Sequence, residues 1–447
     1  MEQNENLLLN LWDRNKMLIK GLLIGFFTLV MLIPVALLSD QVSEREKRQN
    51  EVIKEVSSKW ATQQTLTGPI IVVPFIQTID STGKITKRNA YILPEQLNIN
   101  GRLLPEKRHR SIYDVTLYRS SMQLSGQFDP SVIKKLGIPE ANLLWNECTV
   151  MMGLDDARGL EENVVMRWNN APLALEAGLP DNNVVKSGLS AKTSFDSNRR
   201  AAFTVDLKLK GSSYLYFAPV GKTTHVQISS PWKDPAFDGH YLPSSPAIVD
   251  NNGFTAEWNV LQVSRNYPQA WRDGSTYDIE GTAFGVKLLQ PNDSYAKTER
   301  SVKYAILIVA LTFTLFFFLE IMQKRQIHPL QYVLVGLALC IFYSLLLSIS
   351  EYTGFNAAYI ISSIATVSLI SLYTLGIFRK PQIAAGFAAA LGGLYTYLFV
   401  LIQLQDNSLL FGSIGLFVII AIIMFYSRKI NWYGTGYVPE TVFNTKP

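Results

Sequence analysis

The chain has 447 residues, 48% of them apolar and 17% charged, with a formal net charge of +5 and two cysteines. Soluble proteins average about 25% charged residues, and this composition excludes disordered, collagen-like and disulfide-scaffold classes. At roughly 100–200 residues per domain the length predicts two or three units.

The charge deficit is confined to six stretches, each near the ~20 apolar residues that carry a helix across a bilayer core. The first, 21–38, reads GLLIGFFTLVMLIPVALL and carries no charge. Its length exceeds the ~7–15 residues of a signal h-region, and Leu38-Ser39-Asp40-Gln41 offers no small-x-small cleavage site, so it reads as an uncleaved anchor. Pro34 predicts a kink in it. After a long polar interval come 304–322, 330–349, 355–378, 382–404 and 408–426.

Ionisable residues are scarce inside these spans. Glu320 precedes Lys324 by four positions, which predicts an interfacial pair in place of a proton relay. Glu351 marks the other edge. Spans three and four carry hydroxyls (Ser344, Ser348, Ser362, Ser363, Thr366, Ser368, Ser371) suited to helix contacts. Ala385, Gly386, Ala389, Ala390 and Gly393 in span five predict close helix packing, with a lipid groove as the sharper alternative.

Orientation follows from Lys and Arg in short connections. Arg14, Lys16 and Lys20 precede span one, Lys324 and Arg325 follow span two, Arg379 and Lys380 follow span four, and Arg428, Lys429 and Lys446 follow span six. The turns around Glu351 and Asp406 hold none. The expectation is a cytoplasmic tail at 1–20, another at 427–447, and residues 39–302 outside.

That outside segment spans 302 − 38 = 264 residues with 30 Lys+Arg and 29 Asp+Glu, polar enough to be soluble and long enough to bury its own core. Residues 40–60 predict a helical stalk continuing from span one and docking through Val52, Val56 and Trp60. After Gly68-Pro69 the texture turns to strands: 70–75, 121–128, 201–209, 214–218, 225–228, 254–263 and 284–288. Asp129-Pro130-Ser131 starts a short helix ending by Gly137. Short strands separated by Gly, Pro, Asn and Asp predict a mainly antiparallel, sandwich-like β domain inserted between helices one and two of a six-helix polytopic membrane protein. Cys148 reads as a buried inert thiol on a strand, and Cys340 lies in span three, so no disulfide is expected.

YRSSMQLSGQFD (118–129), SSPWKDPAFDGHYLP (229–243), GFTAEWNVLQVSRNYPQAW (253–271), 284–320 and HPLQYVLVGLALCIFYSLLLSISE (328–351), with the one-plus-five arrangement of spans, resemble the CreD family of inner-membrane "cell envelope integrity" proteins of Gram-negative bacteria. The resemblance covers nearly the whole chain; residues 1–20 and 181–200 carry no motif of it. It implies an inner-membrane location, a periplasmic domain and a link to a two-component regulon responding to envelope and cell-wall stress, including β-lactams and colicin tolerance. It implies no reaction and supplies no catalytic residues.

The residues themselves give the same silence on chemistry. His109, His225, His240 and His328 form no HExxH or short pair, and no Walker A loop, GxGxxG or GxSxG occurs. No catalytic residue, cofactor or metal site is therefore expected, and no nucleic-acid partner. The expected partners are the lipid bilayer and envelope proteins, cell-wall glycan or lipid; the oligomeric state is not readable. The best candidate contact surface is the proline-rich stretch 229–245, with Trp232, Lys233, Asp234, Phe237, Asp238, His240 and Tyr241. Aromatic rings beside carboxylates suit sugar or peptide recognition. The competing reading has Trp232 and Phe237 covering a sheet edge while Asp234 and Asp238 make turns. Trp258, Tyr267 and Trp271 with Arg265 and Arg272 pose the same choice. Three classes of function remain: a non-enzymatic envelope protein, favoured here; a lipid- or glycan-handling transporter; and a membrane-bound hydrolase. A polar cleft among spans two to six would favour transport, and convergent polar side chains beside an oxyanion site would favour hydrolysis.

Overall fold

The computed structural model describes residues 18–79, 84–245, 248–250, 252–288, 294–404 and 407–428. Arg14, Lys16, Asp406, Lys429 and Lys446, used in the orientation argument, lie outside the described residues. The chain divides into two compact units, Met1–Arg48 with Asn292–Pro447, and Gln49–Pro291.

The first unit is helical. Among the described residues six helices are long and apolar enough to cross a membrane: α1 Leu18–Trp60, α3 Ala305–Gln323, α4 Pro329–Thr353, α5 Phe355–Phe378, α6 Pro381–Gln403 and α7 Ser408–Ser427. A short polar helix, α2 Ser294–Lys303, precedes α3. Span one and the predicted stalk are thus a single long helix. Its regular pattern lapses at Met31, and the bond from the Val35 amide to the Met31 carbonyl is stretched to 3.4 Å. Pro34 has no N–H to give the carbonyl of Val30, the expected cause.

In α4 the bundle interior takes Gly336, Leu339, Cys340, Phe342 and Tyr343, and in α5 it takes Tyr359, Ser362, Thr366 and Thr374. None of the α7 side chains is buried. Gly354 (φ 77°) ends α4 and starts α5, and His328 caps α4 with Gln331 answering in a reciprocal capping box.

Glu320 corrects one expectation. Its carboxylate pairs with Lys20 of α1, and accepts from the Tyr332 hydroxyl at 2.9 Å and the Ile327 amide at 2.9 Å. Lys324 instead takes a left-handed conformation (φ 49°) at the end of α3. Spacing of four favours a pair only while the helix continues, and α3 stops at Gln323.

The second unit is a β domain of a nine-stranded and an eight-stranded sheet. The long hairpin Gln96–Arg110 with Tyr113–Phe128 forms the middle of the eight-stranded sheet and continues into Ala201–Ser212. Leu97, Ile99 and Leu103 from one strand and Met122, Leu124 and Phe128 from the next face inward by simple alternation. They meet Ile71, Val73, Val150 and Met152 of the other sheet in one apolar cluster.

The strand pairing is mainly antiparallel, as expected, but two ladders run parallel. Gln64–Leu66 runs parallel to Leu215–Phe217, and Gln96–Arg102 runs parallel to Thr223–Ser229. These partners are remote in sequence, and alternation reveals which face a strand presents without revealing its direction. The first strand also begins earlier than expected, at Gln64, and runs through Gly68-Pro69. Gly68, at φ 121°, sits where the register shifts between Thr67 and Ile70, so the proline falls at an irregularity that tolerates it. Lys84–Ile92, with three cations, and the charged end of Gln96–Arg110 are further strands that apolar periodicity did not mark.

Other expectations hold. Asp129 accepts from the Ser131 amide at the head of a 3₁₀ helix, Pro130–Leu136, that ends on left-handed Gly137 (φ 63°). Cys148 starts a strand and is fully buried, and burial pushes its thiol pKa up to about 12. Both cysteines are free. The stripe on the end of α1 docks within this unit: Val52 is buried, and the Trp60 indole faces Arg108, Arg119 and Lys210 at 4.4, 5.2 and 4.9 Å.

Candidate functional site

The stretch 229–245 lies along an edge. Ser229 and Ser230 end the strand Thr223–Ser230, the chain turns at Pro231–Asp234, and Pro235–Gly239 pairs with Phe284–Leu288 as the outer strand of the nine-stranded sheet. Edge position is what proline permits.

The seven candidate residues divide between core and surface. Phe237 packs edge-on against Phe254 and Trp258, and Tyr241 against Phe284, with its hydroxyl donating to the Ser264 carbonyl at 2.7 Å. These two close the edge of the core. Asp238 accepts from the Gly239 amide and the Tyr216 hydroxyl, which lowers its carboxyl pKa, the amide contributing most. Of the remaining four, Trp232 also packs against the core cluster, and the other three face outward. Lys233, Asp234 and His240 are exposed. Trp232 is half-buried, its indole N–H donating to the Asp234 carbonyl at 3.0 Å and its ring lying 5.4 Å from the Lys107 ammonium.

Beside Trp232, Ser229–Pro231, Arg102 and Asn252–Thr255 line a polar pocket of about 280 Å³. Arg102 and Lys107 were not singled out by sequence reasoning. Arg102 pairs with Ser229 across a parallel ladder, and Lys107, farther along the same strand, reaches the Trp232 ring; no local pattern reports either.

The second aromatic cluster is core. Trp258, Tyr267 and Trp271 are buried; the Trp258 indole donates to the Tyr241 carbonyl, and the Tyr267 hydroxyl to that of Pro219. Arg265 is buried too, with its guanidinium 4.6 Å from the Tyr267 ring and bonded to Gln269, and burial lowers its pKa. Its Nε and Nη1 have no hydrogen-bond partner. Among the described residues no group of three His, Cys, Asp or Glu could hold a metal ion.

Six membrane-competent helices with a large mixed β domain between the first and second define a polytopic membrane protein with an inserted domain. The chain belongs to the CreD family: the family model, described as inner membrane protein CreD, matches residues 16–433. It is 30% identical over 425 residues to inner membrane protein CreD of Escherichia coli (strain K12), covering 91% of each chain. Among solved structures, native yeast LTA4 hydrolase aligns over 37% of this chain and 26% of its own, at 9% identity and a TM-score of 0.18, too low to carry any argument.

Proposed function

We propose that this inner-membrane protein maintains envelope integrity by contact. Its β domain stands on the periplasmic side, both termini face the cytoplasm, and the surface around Trp232 engages an envelope component. The observation that carries this reading is the juxtaposition of an edge strand, a partly buried indole and a polar pocket with Arg102 on its wall. Edge strands offer unpaired backbone groups, and an aromatic face beside polar side chains suits a hydroxyl-rich partner. With Arg102, Lys107 and Lys233 nearby, cell-wall glycan carrying carboxylates fits best.

The test uses the full-length protein in detergent or nanodiscs with isolated cell-wall sacculi, alongside envelope phenotypes in cells. Trp232→Ala and Lys233→Ala should weaken sedimentation with sacculi and sensitise cells to envelope stress. Asp238→Ala should do the same through loss of the bond from Tyr216. Unchanged binding and phenotype at normal protein levels would count against the surface.

A lipid-handling role is a second reading, supported by an apolar groove in the helix bundle.

A further inference from the structure

Three helices of the bundle, α3, α6 and α7, bound a groove of about 620 Å³. Its walls are apolar side chains such as Leu315, Leu319, Leu394 and Ile419. Small residues make the room: Ala390 and Gly393 on α6 and Gly415 on α7 line it. The two glycines differ. A Cβ on Gly415 would strike the Tyr397 side chain, whereas a Cβ on Gly393 would meet nothing within 4 Å. The Tyr397 hydroxyl donates to the carbonyls of Phe411 and Gly412, both at 3.1 Å, so it clamps α7 to α6 at one level. Beyond that clamp the seam stays open.

The groove also has a direction. Leu311 marks one end on α3 and Met322 the other, 322 − 311 = 11 residues apart. At ~1.5 Å rise per residue this is about 16 Å, close to half of a ~30 Å hydrocarbon core, the depth of one leaflet. Thr314 bonds the Ala310 carbonyl, so of the wall hydroxyls Thr312 alone lacks a bond. The walls thus ask for hydrocarbon. At the opposite end Met322 and Tyr426 line the mouth, and exposed Lys324 and Arg428 follow each by two residues. An apolar slot about one leaflet deep, with a cation two residues beyond its lining on each of two helices, has the chemistry of a lipid with an acidic headgroup.

We propose that this groove binds one anionic phospholipid from the leaflet at the Met322 end, its acyl chain lying along α3, α6 and α7 and its phosphate held by Lys324 and Arg428. The site is separate from the Trp232 surface, and either can fail without the other.

The test places the full-length protein in nanodiscs doped with phosphatidylglycerol bearing a photoreactive diazirine on its acyl chain, or with the matching phosphatidylcholine. Labelled peptides are then mapped by mass spectrometry. Labelling should concentrate on the groove residues of α3 and α7, and phosphatidylglycerol should label several-fold more than phosphatidylcholine. Gly393→Leu, which fills the slot, should cut labelling there several-fold. Lys324→Gln with Arg428→Gln, which leaves the interior untouched, should abolish the preference for phosphatidylglycerol. Even labelling of the outward faces of α4 and α5 would overturn the site. Equal labelling by the two probes in the unaltered protein would overturn the anionic assignment.

Discussion

The β domain and the helix bundle both bury large aromatic side chains, but they treat the polar ends differently. In the domain the largest core rings are anchored: the Tyr118 hydroxyl donates to the Tyr214 carbonyl, the Tyr91 hydroxyl to Asp181, and the Trp258 indole to the Tyr241 carbonyl, while the Trp60 indole N–H and two nitrogens of Arg265 have no hydrogen-bond partner. In the bundle the hydroxyls of Tyr343 and Tyr395, with those of Thr312, Ser362, Ser363 and Ser371, have no partner. There the charged groups gather at the two ends, around Glu320 with Lys20 and Tyr332, and around Glu351 with Tyr295 and Arg45, while between them the Tyr359 hydroxyl donates to the Tyr395 carbonyl. A domain folding from water gives up a water bond for each buried polar group and must replace it. A helix already satisfies its own backbone, so the bundle is specified by shape along its length and by charge at its ends.

The largest test of the contrast is Trp258→Ala. It removes a fully buried ring and an anchor together and should destabilise the domain by about 3–5 kcal/mol, read as a lowered melting temperature. Next is Lys20→Met, which strips Glu320 of its cation. The cost should be about 2–3 kcal/mol, below the usual ~3–5 for a fully buried pair because Lys20 keeps some exposure. Lys20→Met with Glu320→Gln should recover part of the loss in the same thermal scan.

Asp156→Asn should cost about 1–2 kcal/mol. Burial alone would raise the carboxyl pKa, but bonds from Arg158 and the Thr62 amide, with the Arg158 charge, bring it down to about 2. Its unfolded value is ~3.9. The stabilisation is therefore complete above pH ~4 and is lost as pH falls toward about 2, so the Asn variant should show a flatter stability profile across that window.

Tyr395→Phe should be nearly neutral, within about 0.5 kcal/mol, because its hydroxyl bonds nothing in the protein. A loss well above that would mean that an internal water holds the hydroxyl, and the contrast between the two regions would narrow. The smallest effect belongs to Lys233→Ala, within about 0.5 kcal/mol for an exposed turn residue. A binding defect there would thus report contact and not folding.

Much of the fold was legible. Strands such as Ala201–Ser212 declared themselves because one face is buried and the other wet. The strand Lys84–Ile92 hid, since its residues satisfy a ladder while carrying cations. At the candidate surface, Trp232 and its prolines stood out locally, while Arg102 arrives from a strand more than a hundred residues away. Likewise Glu320 looked four residues ahead to Lys324 and found its cation 300 residues back, at Lys20.

Composition and hydropathy alone determined six spans, an inserted polar domain and its β texture, because transfer from water to hydrocarbon and strand alternation both act residue by residue. Only the tertiary structure decided the parallel ladders, the partner of Glu320, the division of the 229–245 residues between core and surface, and the groove beside Gly393. Each of those depends on which distant segments meet, and no local property of a chain encodes its neighbours in space.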